Sequence, residues 1–229
     1  MRKKDRVFEW DILLDSDAMG GGACEGAHVF IGDASGKVYC IDGASGDIVW
    51  TFRTLDRIVA PPNVWYLRMY VGSCDGFLYS INAEGGFETW KFACQWPIVD
   101  EPVAVGYVIY AIAEKKGRRM IFAVDRKANL LWCQRNCVKV LLQGRSWHER
   151  TQSYILDAFG NIRAVLTLSP VKGEIGEVRW RLPVYSYGFE FFATNPSDRR
   201  SIRKNIARRC IYMATKFGLV VAIEEMPHF

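Results

Sequence analysis

The chain has 229 residues, of which 50% are hydrophobic, and a formal net charge of +5 at pH 7. A single all-β domain can reach this length, and the hydrophobic share is enough to build a core. We expect no membrane insertion, because no uninterrupted apolar stretch approaches the roughly 20 residues that a membrane-spanning helix needs. Glu9 and Asp11 interrupt the apolar run after the basic N-terminus, so we expect no secretory signal and a cytoplasmic protein.

The first predicted element is a strand at Val7–Trp10, which has no hairpin before it. Trp10 lies 40 residues before Trp50, and Trp50 lies 40 residues before Trp90. A fixed spacing of this kind indicates a repeat architecture. Val7–Trp10 is therefore interpreted as the last strand of a repeat whose other strands lie elsewhere in the chain.

Two well-matched repeats come next. The segment that begins at Val29 aligns without gaps with the segment that begins at Met69. Each consists of an apolar strand, a turn ending in glycine, an alternating strand, a second turn ending in glycine, and a strand that carries tryptophan. Short runs of this kind between turn residues predict antiparallel hairpins.

The turns of these two repeats have a physical explanation. Gly36 and Gly76 occupy positions where a short hairpin needs a positive φ, which glycine adopts without steric cost. In the second turn an Asp or Asn precedes the glycine, and its side chain can accept hydrogen bonds from the turn backbone. These pairs are Asp42 with Gly46 and Asn82 with Gly86.

Three weaker copies follow. Val108–Ile112 and Met120–Asp125 precede Trp132, and a similar pair of strands precedes Trp180. The last copy begins at Ile211 and ends before any tryptophan. The predicted strands of the fourth and fifth copies are Ser153–Leu156, Ile162–Leu166 and Ile211–Glu225.

Together these elements predict an all-β, five-bladed β-propeller of four-stranded antiparallel blades in one domain, 1–229. The N-terminal strand would complete the last blade and close the ring, since a closed ring hides the sheet edges. The predicted blades are 15–55, 56–95, 96–136, 137–184, and 185–229 with 5–14. The predicted innermost strands are Ala18–Cys24, Arg57–Asn63, Pro97–Val103, Val138–Gln143 and Tyr187–Phe192.

The repeat resembles the pyrroloquinoline-quinone-like repeat of quinoprotein-type propellers. The residues that carry the resemblance are Val29–Trp50 and Met69–Trp90. It implies that the repeat tryptophans pack between adjacent blades. Quinone dehydrogenases of this type hold a metal and often a vicinal disulfide, and this sequence has no Cys-Cys pair and no evident calcium cluster. We therefore expect no cofactor and no catalysis.

The cysteines and histidines show no metal-binding spacing. Seven cysteines make an odd number, and most lie in apolar segments, so we expect buried free thiols in a reducing compartment. His28, His148 and His228 are scattered and lack the context of a zinc site. The run from Gly20 to Gly22 is interpreted as close backbone packing rather than as a phosphate loop.

Loops before the innermost strands should form a channel mouth, where several blades bring side chains together. Aromatic and charged residues there are typical of binding patches. Each of them could equally be a packed loop residue. The candidate ligand-binding residues are Asp17, Arg57, Trp96, Tyr185 and Tyr187.

Positive side chains gather in loops on the opposite predicted face, beside the turn Arg126–Lys127. Such a face can contact phosphates or acidic partners, although 201–209 could also be a solvated helical insertion. Aromatic residues do not alternate with these charges, so we do not expect nucleic-acid binding by stacking. The basic face comprises Arg145, His148, Arg150, Arg199, Arg200, Arg203 and Lys204.

The function predicted from the sequence is a non-catalytic binding or scaffolding module whose partner is another protein. One alternative is a lectin or glycosidase that binds a glycan or small ligand at the channel mouth, with Asp17, Asp100 and Glu101 as its only candidate acids. A second alternative is phosphate or nucleic-acid binding through the basic face.

Overall fold

The structure is a computed structural model that describes residues 10–145, 151–159, 161–168, 175–183, 189–190, 210–215 and 220–224. These residues form antiparallel sheets only, four with four strands and one with three. The chain divides into two compact units, 1–135 and 136–229. No helix in the described ranges is long and apolar enough to cross a membrane.

The first unit contains three sheets, and in each the strands pair in chain order. The first strands of neighbouring sheets, β1 and β5 and then β5 and β9, lie side by side. The first sheet contains β1 (Gly22–Glu25), β2 (His28–Gly32), β3 (Lys37–Asp42) and β4 (Ile48–Arg53). The second sheet contains β5 (Asn63–Trp65), β6 (Arg68–Gly72), β7 (Phe77–Asn82) and β8 (Glu88–Ala93). The third sheet contains β9 (Val103–Val105), β10 (Val108–Lys115), β11 (Arg118–Asp125) and β12 (Leu130–Arg135).

The second unit contains one four-stranded sheet and one three-stranded sheet. The strands are β13 (Cys137–Arg145), β14 (Thr151–Asp157), β15 (Asn161–Leu168) and β16 (Val178–Pro183); and β17 (Phe189–Glu190), β18 (Cys210–Thr215) and β19 (Val220–Glu224). All five predicted hairpins are therefore present as antiparallel strand pairs. The predicted strand Val7–Trp10 lies outside the described residues except for Trp10, so its pairing with the last sheet stays a prediction.

The predicted innermost strands of the first unit are wrong in their bounds. They begin at Gly22, Asn63 and Val103, near the end of each predicted range. The preceding segments are loops because their amides bond elsewhere: the N–H of Ile58 donates to the Asp33 carbonyl at 3.1 Å. Prolines in the second and third segments also lack the N–H that a sheet requires.

The turn chemistry predicted for the hairpins is confirmed. Gly36 and Gly76 have φ of 84° and 87°. The Asp42 carboxylate accepts the N–H groups of its own turn, and Asn82 does the same in the second sheet. Close packing is also confirmed at Gly20, where a Cβ would overlap the backbone of Ala60, and at Gly22, where it would lie 2.9 Å from the Phe30 carbonyl oxygen. The same interpretation is wrong at Gly21, where no atom lies within 4 Å of the Cβ position.

Every four-stranded sheet has a β-bulge beside its tryptophan. In the first sheet Cys40 pairs with Trp50 whereas Ile41 pairs with Ile48, so Val49 is an extra residue. A bulge bends a strand and re-aims its side chains. The equivalent extra residues in the other sheets are Thr89, Leu131 and Arg179.

Within the first unit, Trp50 and Trp90 join each sheet to the next, as the resemblance implies. The indole N–H of Trp50 donates to the Ala83 carbonyl at 3.0 Å, and that of Trp90 donates to the Arg126 carbonyl at 2.9 Å. The Trp10 indole binds the first sheet in the same way, through the Gly43 carbonyl at 2.9 Å. The side chain of Trp180 lies outside the description.

The cores of the first unit lie between neighbouring sheets. One buried cluster joins the first and second sheets around Phe30, Met69 and Tyr79, with Trp50 packed against it. A second cluster joins the second and third sheets, with Trp90 packed against it. The hydrophobic effect therefore stabilises the contact between sheets as well as each sheet.

Cys24, Cys40, Cys74, Cys94 and Cys133 are free thiols, and not all of the described cysteines are buried as expected. Cys40, Cys94 and Cys137 are buried, whereas Cys24 and Cys133 are exposed. Burial raises the pKa of the Cys94 thiol to about 12, which leaves it protonated at neutral pH.

Candidate binding surfaces

The loops that connect one sheet to the next lie at one end of the first unit, which we call the loop end. It comprises 11–21, 54–62 and 94–102 together with the hairpin turns that follow β2, β6 and β10. The carbonyl of Asp17 accepts the Ala34 N–H at 2.9 Å, and the carbonyl of Arg57 accepts the Cys74 N–H at 2.9 Å. Pro97 accepts from Glu114 in the same way at 2.8 Å. Three successive repeats therefore hold their loops in one hydrogen-bonded frame.

The predicted channel-mouth residues have different surroundings at this end. Asp17 and Arg57 are exposed, and in the described ranges neither side chain forms an ion pair. Trp96 is half-buried because its ring packs against the core between the second and third sheets. Tyr185 and Tyr187 lie outside the described residues. The structure thus brings Asp17, Arg57 and Trp96 to one end and leaves the two tyrosines untested.

A buried carboxylate at the loop end stabilises its own turn by accepting hydrogen bonds. The buried Asp33 accepts the N–H groups of Ser35 and Lys37 and the hydroxyl of Tyr39. Burial alone would raise the pKa of Asp33, but these hydrogen bonds to the charged form lower it below the usual value.

The carboxylates considered for glycoside chemistry have separate partners. Asp100 forms an ion pair with Arg119 at 3.0 Å, and Glu101 accepts a hydrogen bond from the Asn63 amide at 3.1 Å. Among the described residues no group of three or more His, Cys, Asp or Glu could hold a metal ion.

A second feature lies at the opposite end of the first unit, which we call the turn end. It is formed by the turns β5–β6, β9–β10 and β11–β12. The Arg126 guanidinium carbon lies 5.0 Å from the centre of the Tyr107 ring and 5.8 Å from that of Tyr66. Trp65 meets Tyr66 edge to face at 5.2 Å. We call Trp65, Tyr66, Leu67, Tyr107 and Arg126 the Arg126 cluster.

The Arg126 cluster presents large apolar side chains to solvent. Tyr66 is 73% exposed, Leu67 54% and Tyr107 68%. Arg126 is half-buried between the tyrosine rings. Aromatic and arginine side chains in such an arrangement are typical of binding hot spots.

The backbone of the cluster is strained at the turn between β5 and β6. Tyr66 and Leu67 have φ of 49° and 58°, which is the left-handed region for both residues. The first and third sheets place Gly26 and Gly106 at the position of Tyr66, with φ of 62° and 61°. A non-glycine residue costs about 1–2 kcal/mol there.

Sequence reasoning placed Arg126 on the basic face but missed its aromatic neighbours. The expectation that aromatic residues do not alternate with the charges of the basic loops stays a prediction; at Arg126, Tyr66 and Tyr107 reach the guanidinium from the turns of two different sheets. The signal in the sequence was a tyrosine at a turn position where the neighbouring repeats have glycine. Of the predicted basic face, only Arg145 has a described backbone, at the end of β13. The side chain of Arg145 and the residues His148, Arg150, Arg199, Arg200, Arg203 and Lys204 lie outside the description.

Comparison with known proteins identifies the repeat. A family model described as outer membrane protein assembly factor BamB matches residues 9–82 and 67–224. No protein of curated function matches the chain by sequence. The match confirms the resemblance to pyrroloquinoline-quinone-like repeats.

Solved structures show a β-propeller-like fold. BamB from Moraxella catarrhalis superposes with a TM-score of 0.60 at 18% identity, covering 93% of this chain and 59% of that chain. A quinohemoprotein alcohol dehydrogenase, ADHIIG from Pseudomonas putida HK5, gives 0.61 at 14% identity, covering 92% and 41%. The computationally designed Ika4 protein gives 0.55 at 13% identity, covering 72% and 99%. This chain therefore spans less than two thirds of the BamB and dehydrogenase chains.

Proposed function

We propose a protein-binding scaffold role for this chain, because it belongs to the family of the outer membrane protein assembly factor BamB. An assembly factor acts through contacts with other proteins, and fold alone does not specify function. The proposal therefore depends on what the surfaces of this chain present.

The observation that carries the proposal is the hydrogen-bonded frame of the loop end. Asp17, Arg57 and Pro97 hold equivalent backbone positions through main-chain bonds of 2.8–2.9 Å. The side chains of these residues are a carboxylate, a guanidinium and a pyrrolidine ring. The same backbone conformation therefore presents a different chemical group in each repeat. Loops that a rigid scaffold positions in this way are common recognition surfaces.

A non-catalytic role is supported by the causes of the pKa shifts. The pKa values of Asp33, Asp42, Asp125 and Asp157 lie below their usual range. Each carboxylate accepts backbone N–H groups of its own turn. Perturbed acids can mark active sites, but these four stabilise turns.

We further propose that the repeats form a five-bladed ring closed by the N-terminal strand. In the sheet β17–β19, the last described strand, β19, has a paired neighbour on one side only. The predicted strand that ends at Trp10 would supply the fourth strand. A circular permutant with joined termini and new ends between Gly26 and Ala27 should then fold with nearly unchanged stability.

A cytoplasmic location remains part of the proposal. Cys24, Cys40, Cys74, Cys94 and Cys133 are free thiols, the state expected in a reducing compartment. The family description refers to outer membrane proteins, so fractionation of cells that make the tagged chain should decide the location.

The role is tested by isolating a partner and measuring its affinity. The tagged chain should recover one protein at a stoichiometric ratio, and the two purified proteins should recombine with a measurable Kd. Arg57→Ala at the loop end should weaken this binding, whereas Lys127→Ala, which removes an exposed positive charge at the turn end, should leave it unchanged. Elution of the chain alone under all conditions, or turnover of a glycoside by the purified chain, would contradict the scaffold role.

A further inference from the structure

Two buried N–H groups at the turn end have no hydrogen-bond partner among the described residues. They are the indole Nε1 of Trp65 and the Nε of Arg126. Both side chains contact Tyr66, the first at 5.2 Å between ring centres and the second at 5.8 Å from the ring centre. Buried donors without acceptors are costly and rare in folded proteins. The described part of the Arg126 cluster therefore supplies too few acceptors for its own donors.

The positive charge of Arg126 is also uncompensated in the described ranges. Its neighbour Asp125 accepts the N–H groups of Lys127 and Asn129 and the Asn129 side-chain amide, at 2.8–2.9 Å. The adjacent Arg68 donates to Thr89 at 2.9 Å. The tyrosine rings contact the guanidinium through their π-systems, which attract cations but are poor substitutes for an acceptor oxygen. A planar guanidinium with free donors matches a carboxylate.

The apolar groups around Arg126 define the rest of the ligand. Tyr66 and Leu67 form a turn in which both residues have positive φ, and their side chains are 73% and 54% exposed. Strain is often retained where a residue is needed for binding. The exposed rings and the Leu67 side chain would cover an apolar residue next to the carboxylate.

From these observations we propose that the Arg126 cluster is the docking site for an acidic segment of a partner protein. The segment would place one Asp or Glu carboxylate on Arg126 and an adjacent apolar residue against Tyr66, Leu67 and Tyr107. This inference rests on the proposed protein-binding function and specifies the site and the partner chemistry.

The surroundings favour a protein segment over a nucleic acid. Glu84 is exposed in the neighbouring turn, and that turn contacts the cluster through the Ala83 N–H, which donates to the Leu67 carbonyl at 2.9 Å. A phosphate backbone would bring further negative charges towards Glu84. A segment with a single carboxylate among apolar residues avoids that repulsion.

The test uses the full chain and a displayed library of random dodecapeptides. Peptides selected on the wild-type protein should carry an Asp or Glu beside an apolar residue. The most enriched peptide is then synthesised in two forms, with the acid and with the matching amide. Affinity should fall at least about tenfold for Arg126→Gln, and similarly for the amide peptide on the wild-type protein.

Two controls separate the site from general effects. Lys127→Gln removes an equal charge from the same turn outside the cluster, and it should change the affinity by no more than about twofold. Tyr107→Ala truncates an exposed ring and should weaken binding without loss of folding, as judged by circular dichroism of the variants.

Several outcomes would overturn the docking site. They are the absence of enriched peptides, a selected set without acidic residues, or equal binding by the wild-type and Arg126→Gln proteins. Peptides that depend on Arg57 and not on Arg126 would leave the protein-binding function standing and reject this site. Binding of an oligothymidine strand that is lost in Arg126→Gln would assign the cluster to nucleic acid and reject the protein segment.

Discussion

The contact between Trp50 and Gly86 offers a direct measure of how strongly one sheet is joined to the next. Gly86 lies in the turn between β7 and β8, with φ of 70°. A Cβ at this position would lie 2.5 Å from Cδ2 and 2.7 Å from Cγ of the Trp50 indole. The substitution Gly86→Ala therefore forces the ring away or distorts the turn.

The expected loss of stability has two parts. The left-handed backbone costs an alanine about 1–2 kcal/mol. Overpacking against a well-held ring adds about 1–3 kcal/mol. Movement of the ring would also weaken the 3.0 Å hydrogen bond from Trp50 to the Ala83 carbonyl. Gly86→Ala should lower the free energy of unfolding by about 2–5 kcal/mol in all.

The assay is urea unfolding, with Gly26→Ala as the matched control. Gly26 has a similar φ of 62°, but no atom lies within 4 Å of the point that an alanine methyl group would occupy there, so only the backbone cost should appear. The double variant Trp50→Leu with Gly86→Ala should lose less stability than the sum of the single variants, because the smaller side chain relieves the overlap. Equal losses for Gly86→Ala and Gly26→Ala, with additive double-variant values, would refute the role given to this contact.

Four further predictions concern other parts of the chain. Arg163→Met should destabilise the second unit by about 3–5 kcal/mol in urea unfolding, because it leaves the buried Asp157 carboxylate without its 2.6 Å ion pair. Burial would raise the pKa of Asp157, but its hydrogen bonds outweigh burial and lower it. The charged Asp157 therefore stabilises the fold above its ordinary pKa, and this contribution should be lost as the pH falls through the lowered pKa. A free energy of unfolding that does not change with pH in the acid range would contradict this. Tyr66→Asn with Leu67→Gly should raise the free energy of unfolding by about 1–2 kcal/mol, because Asn-Gly suits a turn with two positive φ angles, and should abolish selection of acidic peptides. Iodoacetamide should label the exposed thiols of the native protein well before Cys94, whose pKa burial raises to about 12, and mass spectrometry should show this difference in labelling disappear only after unfolding.

Much of the fold could be predicted because each repeat carries its own local signals. Glycines at 36 and 76 and the Asx residues at 42 and 82 specify turns through chemistry that acts within a few residues. The spacing of the tryptophans then places each turn in a repeat. These signals do not depend on the surrounding structure, so they can be recognised without it.

The innermost strands could not be located in the same way. Their starting points depend on the N–H of Ile58 and its equivalents, which bond to a hairpin more than 20 residues away in the chain. An apolar segment with prolines is compatible with either a strand or a loop, and only the tertiary contact decides between them. The predicted strand Arg57–Asn63 was wrong for that reason.

For the candidate sites too, features that depend on neighbouring residues in the sequence could be predicted, whereas contacts between distant residues could not. Arg57 could be placed among the channel-mouth residues from its position in the repeat, although the strand predicted to begin there is a loop. The partnership of Arg126 with Tyr66 and Tyr107 could not, because three turns in two sheets contribute to it. The ion pair of Asp157 with Arg163 was missed because burial of a charged pair has no distinct sequence pattern.

The bulge beside each tryptophan bears on whether the protein stays dispersed at high concentration. The bulged strand β4 is the last in its sheet, and its Ile48 and Val49 are each 48% exposed. An apolar outer strand of regular pleat would be a template for another copy to extend the sheet and polymerise. Because of the extra residue, the N–H and C=O groups on the free edge of β4 do not match the hydrogen-bonding register of an incoming regular strand. We therefore expect the bulge beside the tryptophan to disfavour extension of the sheet by another copy of the chain.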